Sequence, residues 1–281
     1  MIRTMDIGAT FAPAKYGTFF PRLPMPPAFC RVFSKPGSGL PNLDGPAVAE
    51  LPAGTVPWIS HKDPVKLDDV TAMWAELARR YPGRLLRWTY HHEAAPMDEP
   101  DRLAYLAYWA ALRAMAAKHP HIQPVMIQTN YAMRWRTDTD WRDWVVPGVA
   151  LGIDCYPLTG FRYEPPESMF GLLTIAARQF RAPAWGVPEL GAEPRGGQNT
   201  ARWLLDCTRY LDRAGADFLG LWGAGDYEPT EPRTLAAFGK ITGHDYRSRP
   251  NRTDPTVDST EPAGHRAEDA PLSPGGRRAS I

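Results

Sequence analysis

The sequence has few cysteines, little net charge and no long hydrophobic run, and each absence excludes a class of protein. Its three cysteines, Cys30, Cys155 and Cys207, lie far apart and form no Cys-x-x-Cys pair. This spacing argues against a zinc ribbon and against a disulfide framework. The formal net charge of +1 over 281 residues gives no electrostatic reason to expect nucleic acid or an anionic membrane as a partner.

The amino-terminal residues carry charge but are followed by no apolar segment, and no run of the chain is long enough to cross a bilayer. We therefore expect no signal peptide and a cytoplasmic protein, unless export follows a route that the sequence does not show. Hydrophobic residues make up 43% of the chain and charged residues 22%, which is ordinary for a soluble globular protein with a substantial core.

Strand and helix patterns alternate along residues 1–243. We count eight short apolar runs that predict strands, and helical spacing follows several of them, as in Leu67–Tyr81. This alternation favours a parallel sheet covered by helices, and eight units match a closed barrel of about 250 residues. A doubly wound open sheet is the alternative, but Ile7-Gly-Ala-Thr10 is not the Gly-rich loop it normally carries. We predict an α/β fold, a single (β/α)₈ TIM barrel.

Local signals refine this prediction. Asp101 is placed to cap a helix that runs to about Lys118, and Asn199 to cap the helix after the seventh strand. The segment 131–136 is predicted to be the loop after the fifth strand. From residue 244 the chain is rich in Pro, Gly, Ser, Arg and Asp, so residues 244–281 are predicted to be a disordered tail.

Two stretches have the same form, an apolar run of strand length that ends on a glutamate. The first is Arg84-Leu-Leu-Arg-Trp-Thr-Tyr-His-His-Glu93, in the fourth predicted strand, and the second is Pro183-Ala-Trp-Gly-Val-Pro-Glu189-Leu-Gly, in the seventh. In a barrel of this class the chemistry lies at the carboxyl ends of the strands. The strand-end residues form a polar and aromatic set: Arg31, Lys62, His92, Glu93, Asn130, Asp154, Tyr156, Glu189 and Trp222.

A pair of carboxylates on different strands suits the hydrolysis of a glycosidic bond. One acid protonates the leaving oxygen and the other meets the developing oxocarbenium charge. If the second attacks directly, the two carboxyl groups lie about 5–5.5 Å apart and the configuration is retained. Glu93 and Glu189 are our candidates for this pair, and Arg31 is a candidate for keeping Glu189 ionised.

These stretches resemble glycoside hydrolase family 26, in the clan of retaining (β/α)₈ glycosidases. The resemblance rests on His92-Glu93 in strand four, Glu189-Leu-Gly in strand seven, Gly152-Ile-Asp-Cys-Tyr156 in strand six and Trp222 in strand eight. It implies that Glu93 is the general acid/base and Glu189 the nucleophile. It also implies that His92 and Tyr156 position them, and that Trp222 forms the floor of the sugar site. The segment 94–100 departs from the family pattern, because it has no tryptophan.

Several of these residues have a second interpretation. Arg31 and Asp154 are equally consistent with structural ion pairs, and Asn130 with a cap on the next turn. Trp135 is interpreted as covering the barrel rim rather than stacking on a sugar. His91-His92-Glu93 is not interpreted as a metal site, because neighbours on a strand point to opposite faces.

The hypothesis is a retaining, endo-acting glycoside hydrolase that cleaves a β-linked poly- or oligosaccharide, mannan-like or another β-glycan, by double displacement. It predicts no cofactor and no metal, a carbohydrate substrate as partner, and a monomer. The rival is a carbohydrate-binding protein that keeps the cleft of the same barrel but has lost turnover, since a fold does not guarantee a function.

Overall fold

The structure is a computed structural model that describes residues 5–94, 101–135, 140–157, 163–192 and 199–243. The predicted tail, residues 244–281, lies outside the described residues. All helices and strands discussed below belong to the described ranges.

The described ranges contain one sheet of eight parallel strands, in the spatial order β1-β8-β7-β6-β5-β4-β3-β2. The strands are β1 Asp6–Thr10, β2 Phe29–Phe33, β3 Val56–His61, β4 Leu86–Tyr90, β5 Ile122–Thr129, β6 Ala150–Cys155, β7 Trp185–Leu190 and β8 Phe218–Trp222. The two end strands meet where Ala28 N donates to Ile7 O (2.7 Å) and Arg31 N to Thr10 Oγ1 (3.1 Å). These contacts complete the ring, so the predicted barrel is confirmed and the open sheet was the wrong alternative.

Helices connect the strands on the outside. They are α1 Tyr16–Phe19, α2 Pro46–Ala49, α3 Leu67–Arg80, α4 Arg102–Ala116, α5 Asn130–Trp135, α6 Pro166–Gln179, α7 Thr200–Ala214 and α8 Pro232–Gly243. The first two have only four residues each. Within the described residues, no helix combines the length and the apolar character needed to span a membrane.

Both predicted caps are present. Asp101 Oδ1 accepts from Ala104 N (3.1 Å), and Asn199 Oδ1 accepts from Arg202 N (2.8 Å). Capping satisfies amide groups that the first turn of a helix leaves without partners. The predicted loop was wrong over residues 131–135, because the chain forms α5 directly after β5; residue 136 lies outside the described residues. Thr129 Oγ1 caps this short helix by accepting from Ala132 N (2.9 Å).

Aromatic rings and one arginine fill the amino-terminal end of the barrel. The Arg87 guanidinium lies 5.3 Å from the ring centroid of Phe29, 5.6 Å from that of Trp58 and 5.0 Å from that of Phe218. Its Nη2 donates to Asp6 Oδ2 (2.7 Å). A Cβ on Gly8 would lie 2.3 Å from the Phe29 ring, so the glycine makes room for that ring. This packing fills the amino-terminal end of the barrel interior, and the polar groups lie at the opposite end.

Candidate active site

The predicted site residues lie where the parallel strands end. Arg31 belongs to β2, Asp154 to β6, Glu189 to β7 and Trp222 to β8; Lys62, His92, Glu93, Asn130 and Tyr156 follow the last residues of β3, β4, β5 and β6. Because the strands run parallel, all of them occupy the same end of the barrel. A separate cavity of about 580 Å³ at the other end is lined by Asp6, Arg84 and Arg87 and contains none of these residues.

Glu189 is held from two sides. Arg31 Nη1 donates to its Oε1 (2.5 Å), and the Tyr156 hydroxyl donates to its Oε2. The carboxylate is almost buried, with 8% of the side chain exposed. The register of β7 with β8 shifts between Val187 and Leu190. Pro188 lies in this stretch and has no amide hydrogen to donate to the neighbouring strand. Gly191 then leaves room for Tyr156, because a Cβ on it would lie 2.8 Å from that ring.

Arg31 is a buried cation shared by two acids. Its Nη1 also donates to both oxygens of Asp154 (2.9 Å each), and its Nη2 donates to Ser60 Oγ (3.3 Å). Burial lowers the pKa of Arg31, but the charges of Asp154 and Glu189 raise it by more, so the guanidinium stays protonated. Each of the two residues was given an ion pair as its second interpretation, and the structure makes Arg31 and Asp154 each other's partner, in the same cluster as the contact of Arg31 with Glu189.

Negative charge exceeds positive charge in this cluster. Burial raises the pKa of Asp154 well above its ordinary value; Arg31 opposes this, while the charges of Glu189 and Glu93 add to it. The effect of Glu93 shows that its carboxylate lies within electrostatic range of Asp154. Two carboxylates share one guanidinium and a third lies within electrostatic range, which disfavours the state in which all three are ionised. Such a site can hold a proton for transfer.

Tyr156 is a hydrogen-bond donor to Glu189 at ordinary pH. Burial, followed by the charges of Glu189 and Asp154, raises the pKa of its phenol well above the usual value. Its ring lies 4.8 Å from that of Tyr227, and its carbonyl accepts from Asn130 Nδ2 (2.9 Å). Asn130 thus positions the chain at Tyr156, and its contact is with the backbone of the β6 end rather than with the turn that follows it.

We had predicted that Glu93 ends the fourth strand, but the structure places it beyond that strand. β4 ends at Tyr90, and His91 and Glu93 have positive φ angles of 44° and 59°. Non-glycine residues adopt this left-handed conformation at a cost, and such strain is common at functional sites. Backbone hydrogen bonds from His91 N to His61 O (2.6 Å) and from Glu93 N to Ile127 O (2.9 Å) hold the turn. The turn, rather than strand alternation, sets the direction of Glu93.

His92 lies between polar and aromatic neighbours. Its Nδ1 is 3.0 Å from Ser60 Oγ, and its ring meets that of Phe33 edge-on at 5.3 Å. Phe33 also meets Trp222 edge-on at 5.7 Å, so the three rings form one wall. Burial, followed by the charges of Arg31 and Lys62, lowers the pKa of His92 well below its ordinary value. His92 is therefore a neutral imidazole.

Two members of the site were missed by sequence reasoning, Ser60 and Phe33. Both lie at the end of an apolar run that predicts a strand, but nothing in the local sequence distinguishes them from core residues. The backbone carbonyl of Lys62 lies 3.2 Å from His91 Nδ1 and fixes the chain at Lys62. Trp135 is half exposed (50%) and lies under the Arg134 guanidinium at 5.3 Å.

The reason we gave against a metal site was incorrect, because His91, His92 and Glu93 form a turn and not a strand. Among the described residues, no group of three or more His, Cys, Asp or Glu side chains is arranged to hold a metal ion. The three cysteines are free thiols in the interior.

Comparison with solved structures finds similar folds at low sequence identity. An endo-β-1,4-glucanase from Xanthomonas axonopodis pv. citri, carrying a triple mutation, superposes with a TM-score of 0.57 at 13% identity, covering 87% of this chain and 100% of that chain. An endo-β-1,4-mannanase from Thermotoga petrophila gives 0.54 at 11% identity, covering 86% and 77%. An endo-β-mannanase/endo-β-glucanase from Prevotella bryantii gives 0.57 at 10% identity, covering 87% and 44%.

No protein-family model matches the chain, and no curated protein matches it. The structural similarities concern the fold alone, a (β/α)₈ barrel that this chain shares with these glucanases and mannanases. They agree with the fold that the resemblance to family 26 implied.

Proposed function

We propose that the protein is a retaining glycoside hydrolase that cleaves a β-linked poly- or oligosaccharide. The observation that carries the proposal is the environment of Glu189, a nearly buried carboxylate held by Arg31 on one oxygen and by Tyr156 on the other. The two donors hold the carboxylate in one orientation, as a nucleophile requires. Glu93, in the turn that follows β4, is the second carboxylate of the same site.

In the proposed reaction Glu189 attacks the anomeric carbon while Glu93 protonates the leaving oxygen. A covalent glycosyl-enzyme forms, and Glu93 then takes a proton from the water that hydrolyses it. Arg31 binds Oε1 of Glu189 and Tyr156 binds Oε2, so the donor on the oxygen that does not attack can keep its bond and hold the carboxylate in orientation. No step needs a metal or an organic cofactor.

The proposed substrate is a β-glucan, a mannan or a related β-glycan, attacked within the chain. Support comes from the wall of Phe33, His92 and Trp222, since apolar ring faces suit the faces of sugars, and from neighbours that are named as endo-acting glucanases and mannanases. We also propose that the protein acts as a monomer.

The test is hydrolysis of aryl β-mannoside, β-glucoside and β-xyloside and of the matching oligosaccharides, with NMR of the first-formed anomer. We expect β-configured product from wild type, no turnover from Glu189→Ala, and a β-glycosyl azide when azide is added to Glu93→Ala. Turnover that survives in Glu189→Ala would overturn the assignment. If no sugar is hydrolysed while wild type and Glu189→Gln bind oligosaccharide equally well, the protein is a binding protein on this barrel.

A further inference from the structure

Ser60 connects the nucleophile side of the site with the acid/base side. It lies in β3 with no exposed surface, and its Oγ is 3.3 Å from Arg31 Nη2 and 3.0 Å from His92 Nδ1. Arg31 in turn holds Glu189, and His92 directly precedes Glu93. A continuous chain of polar contacts therefore runs from Glu189 through Arg31 and Ser60 to His92.

The hydrogens in this chain can be assigned by counting donors. A guanidinium only donates, so Ser60 Oγ accepts from Arg31 Nη2. The serine has one hydrogen left, and His92 Nδ1 is the remaining partner that the described residues give it. If His92 instead carried its hydrogen on Nδ1, Ser60 would receive two donors and its own hydrogen would be buried without an acceptor, which is unfavourable. Only one tautomer satisfies every group: Nδ1 accepts and Nε2 carries the hydrogen.

We propose that Ser60 is a positioning residue that holds His92 as the neutral Nε2–H tautomer, so that His92 acts as a hydrogen-bond donor to a hydroxyl or ring-substituent oxygen of the bound sugar. The tautomer follows from the contacts alone; the ligand of Nε2–H rests on the proposed function. Arg31 reinforces the arrangement, because a cation bound to Ser60 Oγ polarises its O–H bond and makes it a stronger donor. Arg31 thus holds Glu189 directly and supports the orientation of His92 through Ser60.

The first experiment reads the tautomer without any substrate. Two-bond ¹H–¹⁵N correlation spectra of ¹⁵N-labelled protein distinguish a protonated from a bare ring nitrogen, and loss of one set of peaks in His92→Gln assigns His92 among the seven histidines. We expect a bare Nδ1 and a protonated Nε2 in wild type, and a tautomer mixture or a shift to Nδ1–H in Ser60→Ala. A protonated Nδ1 in wild type, or an unchanged tautomer in Ser60→Ala, would overturn the proposal.

The matched control is Ser34→Ala. Ser34 lies next to β3, its amide donates to Ser60 O (3.0 Å), and its buried hydroxyl has no hydrogen-bond partner among the described residues. Removing this hydroxyl should leave the His92 spectrum and the activity unchanged. A loss of the same size in Ser34→Ala and Ser60→Ala would show that any serine deletion at this end disturbs the barrel.

The second experiment uses a double-mutant cycle on an active substrate. Ser60→Ala should lower kcat/KM by about tenfold, the effect of one hydrogen bond of about 1.4 kcal/mol. In a His92→Gln background the same substitution should lower kcat/KM by clearly less, because glutamine has no tautomer for Ser60 to set. Gln keeps an N–H donor near the position of Nε2. An equal factor in both backgrounds would assign the loss to Arg31 or to packing, and would overturn the positioning role. If no sugar is cleaved at all, the proposed function fails while the NMR result still decides the tautomer.

Discussion

The two buried arginines of the barrel interior, Arg31 and Arg87, have opposite surroundings. Arg31, at the carboxyl end, faces Asp154 and Glu189, with the charge of Glu93 nearby. Arg87, at the amino end, pairs with one acid among the described residues, Asp6, and also contacts the amide of Gln123 and three aromatic rings.

Trp58 separates the two arginines, with its ring 5.9 Å from the Arg31 guanidinium and 5.6 Å from that of Arg87. At the amino end Arg87 and Asp6 balance each other in charge, which suits a role in stability. The carboxyl end has an excess of acid, which costs stability and is useful only if the acids do something else. Four predictions test this contrast.

The largest effect is expected at Glu189. Glu189→Gln should lower kcat by at least ~10⁴-fold, as for loss of other catalytic nucleophiles, without lowering the free energy of unfolding, because Asp154 still neutralises Arg31. Rates on an aryl glycoside and urea denaturation measure the two quantities. A variant that is both inactive and destabilised by several kcal/mol would show that Glu189 serves the fold.

Loss of the cation at the carboxyl end should cost both stability and activity. Arg31→Met leaves buried carboxylates without a counter-charge, which costs about 3–5 kcal/mol. Adding Asp154→Asn to that variant should recover part of the loss, because one uncompensated charge disappears. Urea denaturation of both variants tests this, and no recovery in the double variant would mean that the Asp154 charge is not what Arg31 compensates.

A third prediction concerns a neutral base at the same end, His61. Its Nδ1 lies 2.9 Å from Asp63 O, and its Nε2 accepts from Trp88 Nε1 (3.1 Å). Burial is the main cause that lowers the pKa of His61 to about 4. In the unfolded chain this histidine has an ordinary pKa of about 6.5 and binds the proton more readily. His61 therefore stabilises the fold above pH 6.5, and this contribution is lost as the pH falls from about 6.5 to about 4.

Unfolding free energies of wild type and His61→Gln at pH 7 and pH 4.5 measure this effect. We expect wild type to lose about 2 kcal/mol more than the variant over that interval. Equal losses would show that other groups, such as His92, account for the acid sensitivity.

The smallest effect is expected at the amino end. Arg87→Met should lower the free energy of unfolding by about 1–3 kcal/mol and leave the kcat of the folded protein unchanged. The cost is below that of Arg31→Met because the Asp6 side chain is 36% exposed, so water solvates the carboxylate left behind. A changed kcat would show that the amino end shapes the site, and the contrast between the two ends would fail.

Much of the barrel could be predicted from local patterns. The strand around Glu189 and the helix caps at Asp101 and Asn199 follow from short-range sequence signals, and the structure confirms them. Helix α5 was missed, because six residues without a strong apolar period look like a loop until Thr129 caps them.

The parts that could not be predicted depend on contacts between strands. The turn at Glu93 requires positive φ at a non-glycine residue, which hydrogen bonds to β3 and β5 impose. Ser60 is an unremarkable residue in the sequence, and only the pairing of β3 with β2 and β4 puts its hydroxyl between Arg31 and His92.

The sequence by itself determined the kind of fold and which acids are available, because hydrophobic periodicity and strand-end residues are local properties of the chain. Only the tertiary structure decided that one arginine is shared by Asp154 and Glu189, and that a serine from another strand reaches His92. Hydrogen bonds and charge interactions act over a few ångströms. Which residues of eight strands come that close depends on the register and closure of the barrel, and no local pattern records that.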